Sequence, residues 1–190
     1  AGRTNRQAMR LCPALLAVCM VAGCSSPESY TPLPTAYPRV NTYADSTASA
    51  ALPGLCFDIN AEAGTSRPRH NWLNIAYPRY GATIYVTARQ ISSPDSLAAA
   101  IDARIERMAL NLGERKAEMT EFDNAHGFRC RLLVCPDGGP VPVQFLAFDR
   151  KGSLLSGTAV LHGSSEPADS VFPIVESLGK DAAAILNSLR

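Results

Sequence analysis

Charge of one sign is what this sequence lacks most. Its 190 residues hold 18 Lys and Arg against 17 Asp and Glu, with no basic or acidic run. A nucleic-acid binder neutralises many phosphates with clustered Lys and Arg, so that class is excluded. Docking onto anionic lipid heads would likewise require a polybasic patch. Long apolar runs are missing too. The block from Leu11 to Ala22 is about a dozen residues, whereas a helix crossing a bilayer needs about 20. Histidine is scarce: His70, His126 and His162 stand far apart. His126, Cys130 and Cys135 imitate half of a zinc site, but four converging ligands are required and the second half is missing. No Gly-x-Ser-x-Gly elbow follows a strand, and "PDGGP" (136–140) lacks the lysine and helix of a phosphate loop, so it is read as a loop between strands. Asp102 and Glu106 lie four apart on one helix, but Arg104 and Arg107 beside them suggest a solvated charged face. The expectation is a protein that is not an enzyme and has no metal, cofactor or catalytic residue.

What is present begins at the N-terminus. Arg3, Arg6 and Arg10 precede the short apolar block, and Val21-Ala22-Gly23-Cys24 closes it. A basic start, an apolar core and small residues at the exit make a secretory signal, and the exit resembles the bacterial lipobox. In that motif the Cys24 thiol receives a diacylglycerol, cleavage follows Gly23, and the new amine is acylated. Each buried methylene contributes about 0.8 kcal/mol, so two or three chains anchor a domain almost irreversibly. Ser25 and Ser26 lack the acidic residue that retains such lipoproteins in the inner membrane, which favours the periplasmic face of the outer membrane. Without Arg3, Arg6 and Arg10, the 18 basic residues against 17 acidic give a formal charge of −2 from Cys24 onward.

Three segments follow: 1–23 as signal peptide, 24–53 as acylated Cys and flexible tether, and 54–190 as one domain. The tether is rich in Ser, Thr, Pro and Ala; about 28 such residues span roughly 30 Å on average. A periplasmic setting permits one disulfide among Cys56, Cys130 and Cys135, with the choice open.

Hydrophobic periodicity orders the domain. "LCFDINAE", "NWLNIAYP" and "GATIYVTARQ" alternate as strands. "SSPDSLAAAIDARIERMALNLG" changes period, with Ser93 as cap, Pro94 at the first helical position and Gly113 as terminator. In "GFRCRLLVC", Phe128, Cys130, Leu132 and Val134 face one way. Residues 143–148 and 154–161 form a hairpin about Asp149-Arg150-Lys151-Gly152, and the last segment returns to helical spacing, with Pro173 expected in its first turn. Several antiparallel strands, a helix, four more strands and a closing helix indicate α+β: an antiparallel sheet covered by two amphipathic helices. Trp72, Tyr77, Tyr80 and Tyr85 cluster in one strand–turn–strand unit. Core packing is the plainer reading, and Trp72, Tyr77 and Tyr80 are the candidate partner surface.

With the elements in place, the chain resembles the gliding-motility lipoprotein GldD family of Bacteroidota. The resemblance runs from the lipobox and "YTPLPTAYPRV" through "LCFDIN", "NWLNIAYPRYGATIYVTARQI" and "DSLAAAIDARI" to "VPVQFLAFDRKGSLLSGTAVLH" and the helix start Asp169-Ser170-Val171-Phe172-Pro173. It departs at "DGGPVPVQF", where the family has "GNAASSVQF", and at Asn71, where some members carry a cysteine. The order of elements also resembles the PsbP-like α/β/α sandwich, an analogy of architecture alone. The resemblance implies a non-enzymatic envelope component that supports gliding motility and type IX protein secretion through envelope-protein partners. The alternative is a periplasmic lipoprotein binding a lipid or small hydrophobe between sheet and helix.

Overall fold

Alternation decides the sheet. The computed structural model describes residues 42–163 and 168–190. Among the described residues nine strands form: β1 (Thr47–Leu52), β2 (Leu55–Asn60), β3 (Gly64–Arg69), β4 (Trp72–Tyr77), β5 (Ala82–Gln90), β6 (Glu118–Asp123), β7 (Arg129–Val134), β8 (Val143–Phe148) and β9 (Ser153–Leu161). Helix α1 spans Pro94–Leu112 and α2 spans Ala168–Ser188. β3 to β9 make one antiparallel sheet in the order β3-β4-β5-β9-β8-β7-β6, while β1 and β2 form a separate hairpin.

On one face, Ile75, Ile84, Val86, Leu155 and Phe145 pack against Val175, Leu178, Ile185 and Leu186 of α2 and against Phe57 of the hairpin. Each such fully buried side chain contributes about 1.5–3 kcal/mol. On the other face, Leu146 and Leu154 meet Met108 of α1, with Leu97, Ile101 and Ile105 packed at the margin. The sheet thus lies between the two helices, as expected. None of the described helices is long and apolar enough to cross a membrane.

Helix α1 starts as the sequence suggests: Ser93 Oγ accepts from the Ser96 N–H, Pro94 opens the helix, and the Gly113 N–H caps Ala109 O at φ +61°. The C-terminus is sewn to the hairpin. Cys56 N–H donates to Arg190 O (2.7 Å) and Arg190 N–H to Cys56 O (2.9 Å).

Two expectations need correction. The tether assigned to 24–53 ends earlier, because residues 47–52 form β1. "TASAAL" offers one large apolar residue, and the backbone ladder to β2 holds it instead. Pro173 lies beyond the first turn, because α2 begins at Ala168. Signal residues 1–23, including Val21, Ala22 and Gly23, and the anchor Cys24 lie outside the described residues.

Candidate functional site

The hairpin turn between β8 and β9 builds one wall of a cleft. Asp149 closes this turn on itself: Oδ1 accepts the N–H of Lys151 (2.9 Å) and of Ser153 (2.7 Å), and Oδ2 lies 3.1 Å from Ser153 Oγ. Gly152 adopts φ +94° and its carbonyl accepts the Ile91 N–H at 2.8 Å. A Cβ at Gly152 would lie 2.0 Å from Ile91 O, so only glycine lets the turn meet the start of α1.

The opposite wall is the β6–β7 turn, organised by Asn124. Its Oδ1 accepts the N–H groups of His126 (2.9 Å) and Phe128 (3.0 Å), while Nδ2 donates to the carbonyls of Leu186 and Leu189, each at 2.9 Å. One side chain therefore ties this turn to the last turn of α2.

Between these walls and the first half of α1 lies a cleft of about 760 Å³, partly open to solvent. Leu97, Ile101 and Phe148 form its half-buried apolar floor, and Arg129, Arg150 and Lys151 its cationic rim. A smaller depression of about 460 Å³ adjoins it across the Arg150–Lys151 turn, lined in part by His126, Phe128 and Arg190. Of the two acids on the rim, Asp149 is committed to its own turn and Asp123 pairs with Arg129 at 3.3 Å. Arg150 and Lys151 form no ion pair among the described residues. The size suits a peptide segment or small ligand.

The other end of the sheet receives the N-terminal segment. The Tyr43 N–H donates to Tyr80 Oη (3.0 Å), Tyr43 Oη accepts the Arg79 N–H (3.2 Å), and the Arg79 guanidinium covers the Tyr43 ring at 4.7 Å. β5 runs from this end to the cleft, nine residues or about 27 Å.

These contacts overturn the expected aromatic surface. Tyr77 and Tyr80 are buried, at 0% and 6% exposure, and form a ring cluster with Tyr43. Trp72 and Tyr77 are five apart on β4, so strand alternation sends them to opposite faces. Trp72 is half-buried on the α1 face, edge-on to Tyr85 and under the Arg69 guanidinium. The three side chains share no surface.

The Tyr77 hydroxyl points towards Asp181 without closing a regular hydrogen bond. Burial, reinforced by the Asp181 charge, raises its pKa. Asp181 is itself held above the ordinary aspartate range by burial, with Tyr77 and Asn60 opposing.

Arg104 departs from the solvated face expected of it. Its Nη2 donates to Thr158 Oγ1 at 2.9 Å, and burial, then Arg107, lowers its pKa. Asp102, Glu106 and Arg107 remain exposed. Cys130 and Cys135 are buried thiols, Cys56 is exposed, and all three are free. Burial is the main cause pushing Cys130 up to about 11. In "PDGGP", Gly139 lies under the Arg115 side chain and Gly138 against Val171, so both glycines serve close packing. Among the described residues, no three His, Cys, Asp or Glu side chains converge as metal ligands.

Sequence reasoning missed Asn124 and the cleft itself. The cleft joins residues more than fifty apart, and Asn124 announced itself only as one polar residue ahead of a Gly-containing turn.

No curated protein matches the chain. The model of the gliding motility lipoprotein GldD family matches residues 27–190, which takes in every described element and starts three residues past Cys24. The chain belongs to the GldD family of gliding motility lipoproteins.

Proposed function

We propose that the protein is a non-enzymatic, lipid-anchored component of the envelope machinery serving gliding motility and type IX secretion, and that it acts by protein contact through the cleft beside α1. Acyl chains on Cys24 hold it at the periplasmic face of the outer membrane, and the Pro-, Ser- and Thr-rich stretch after Cys24 sets its reach. The observation carrying this reading is the position of the cleft. It opens at the end of the sheet opposite Tyr43, the end at which the described residues begin.

Cys24→Ala should move the protein from the membrane fraction to the soluble envelope fraction, with an intact mass lacking acyl chains. A variant that still pellets with membranes rules out the anchor.

The cleft's apolar floor between helix and sheet favours a second reading, a carrier of a small hydrophobe. Lipid co-purifying at one molecule per chain would support it.

A further inference from the structure

The cleft's own charges say what chemistry it accepts. Its floor residues Leu97 and Ile101 belong to the apolar stripe of α1, one flank of which rests on the sheet while the other opens into the cleft. The acid nearest this floor, Asp149, spends both carboxylate oxygens on its own turn. Arg150 and Lys151 stand exposed on that turn with no ion-pair partner among the described residues. His126 and Arg190 line the adjoining depression, and Arg190 is only loosely paired, 3.5 Å from Asp58. An apolar floor therefore sits beside two cations, Arg150 and Lys151, that outnumber the one acid, Asp149, not already in an ion pair.

We infer that the cleft receives a short acidic amphipathic helix from another envelope protein, with apolar side chains on Leu97, Ile101 and Phe148 and Asp or Glu against Arg150 and Lys151. This rests on the proposed contact role of the cleft. The cleft-lining part of α1, Pro94 to Ile101, is about 12 Å long, matching two turns of a partner helix. An acyl chain lying in a cleft partly open to solvent would leave part of its apolar surface in water. An amphipathic helix supplies its own polar face there.

The test uses the full acylated chain and three probes: a fluorescein-labelled amphipathic helix of Leu and Glu about five turns long, its Leu and Lys twin, and dodecanoate. Fluorescence anisotropy at low salt should show the Glu helix binding about tenfold more tightly than the Lys twin, with the margin shrinking as salt is added. Arg150→Glu with Lys151→Glu should reverse that order. Both residues are exposed, and an unchanged thermal melt verifies the fold of the double variant. Equal affinity for the twins, an order insensitive to the double reversal, or binding of dodecanoate with neither helix overturns the inference. A photo-crosslinker at the exposed Ala98 separates two failures. A protein adduct in cells without a Glu-helix preference removes only the acidic partner. The absence of any protein adduct removes the contact role itself.

Discussion

Gly157, in the centre of β9, lies directly under the ring of its cross-strand partner Phe145. A Cβ there would sit 1.9 Å from Phe145 Cζ and 2.3 Å from Cε1, against ordinary carbon contacts of about 3.5–4.0 Å. Phe145 is 0% exposed, and the ring has to retreat by roughly 1.5–2 Å into a filled core. Overpacking of this kind costs about 1–3 kcal/mol, while replacing glycine in a strand returns about 0.5–1 kcal/mol. A ring displacement of this size in a filled core falls at the upper end of that cost, so Gly157→Ala should lose about 2 kcal/mol. Urea unfolding of the soluble Cys24→Ala chain, followed by the fluorescence of the single tryptophan, Trp72, reads this directly. With a slope of about 1–3 kcal/mol per molar, the midpoint should fall by about 1 M at unchanged slope. Phe145→Leu shortens the ring, so the double variant should be more stable than the two single losses predict, by a coupling of about 0.5–3 kcal/mol. A Gly157→Ala chain as stable as the parent, or strictly additive losses, would refute this packing.

Further tests follow from buried polar groups. Asp181 has a native pKa above its unfolded value, so its charge destabilises the fold fully above the native pKa, and protonation relieves this as pH falls towards about 4. Asp181→Asn should be more stable than the parent at pH 7, with the gap closing in acid; denaturation midpoints across pH check this, and a gap that widens in acid contradicts it. Asn124→Ala removes four hydrogen bonds and strips the carbonyls of Leu186 and Leu189, a loss of about 2–4 kcal/mol in urea melts; a loss under about 0.5 kcal/mol would deny it the role of pinning the β6–β7 turn. Native thiol titration at pH 8 should label exposed Cys56 quickly and leave Cys130, still protonated and buried, unlabelled until the chain unfolds; equal rates would contradict the burial.

How far the sequence foretold the structure depended on side-chain size. β4, β5, β7, β8 and β9 each carry at least two large or medium apolar residues at alternating core positions and were legible, as were both helices with the Ser93 cap and the Gly113 stop. β1, β3 and β6 were not assigned. "GTSRPR" is exposed along its whole length, with Pro68 tolerated at a sheet edge, and "EMTEFD" forms the other edge. Such strands are held by backbone pairing, which leaves no hydrophobic period to read. The aromatic cluster misled for a related reason. Nearness in sequence does not fix direction, and the parity between Trp72 and Tyr77 separates them, while the packing of Tyr43 onto Tyr77 and Tyr80 was invisible from so distant a position. The cleft depends on turns brought together only by the β9–β8–β7–β6 order.

The most direct test of the cleft as working surface is to fill it while leaving anchor and core alone. Ala98 lines the cleft and is exposed, so Ala98→Trp occupies it at a cost of about 0.5 kcal/mol in helix propensity. In a host whose own copy is deleted, the variant should reach the membrane at parental level yet fail to restore surface spreading and secretion. Full restoration of both by membrane-bound Ala98→Trp protein would contradict the account.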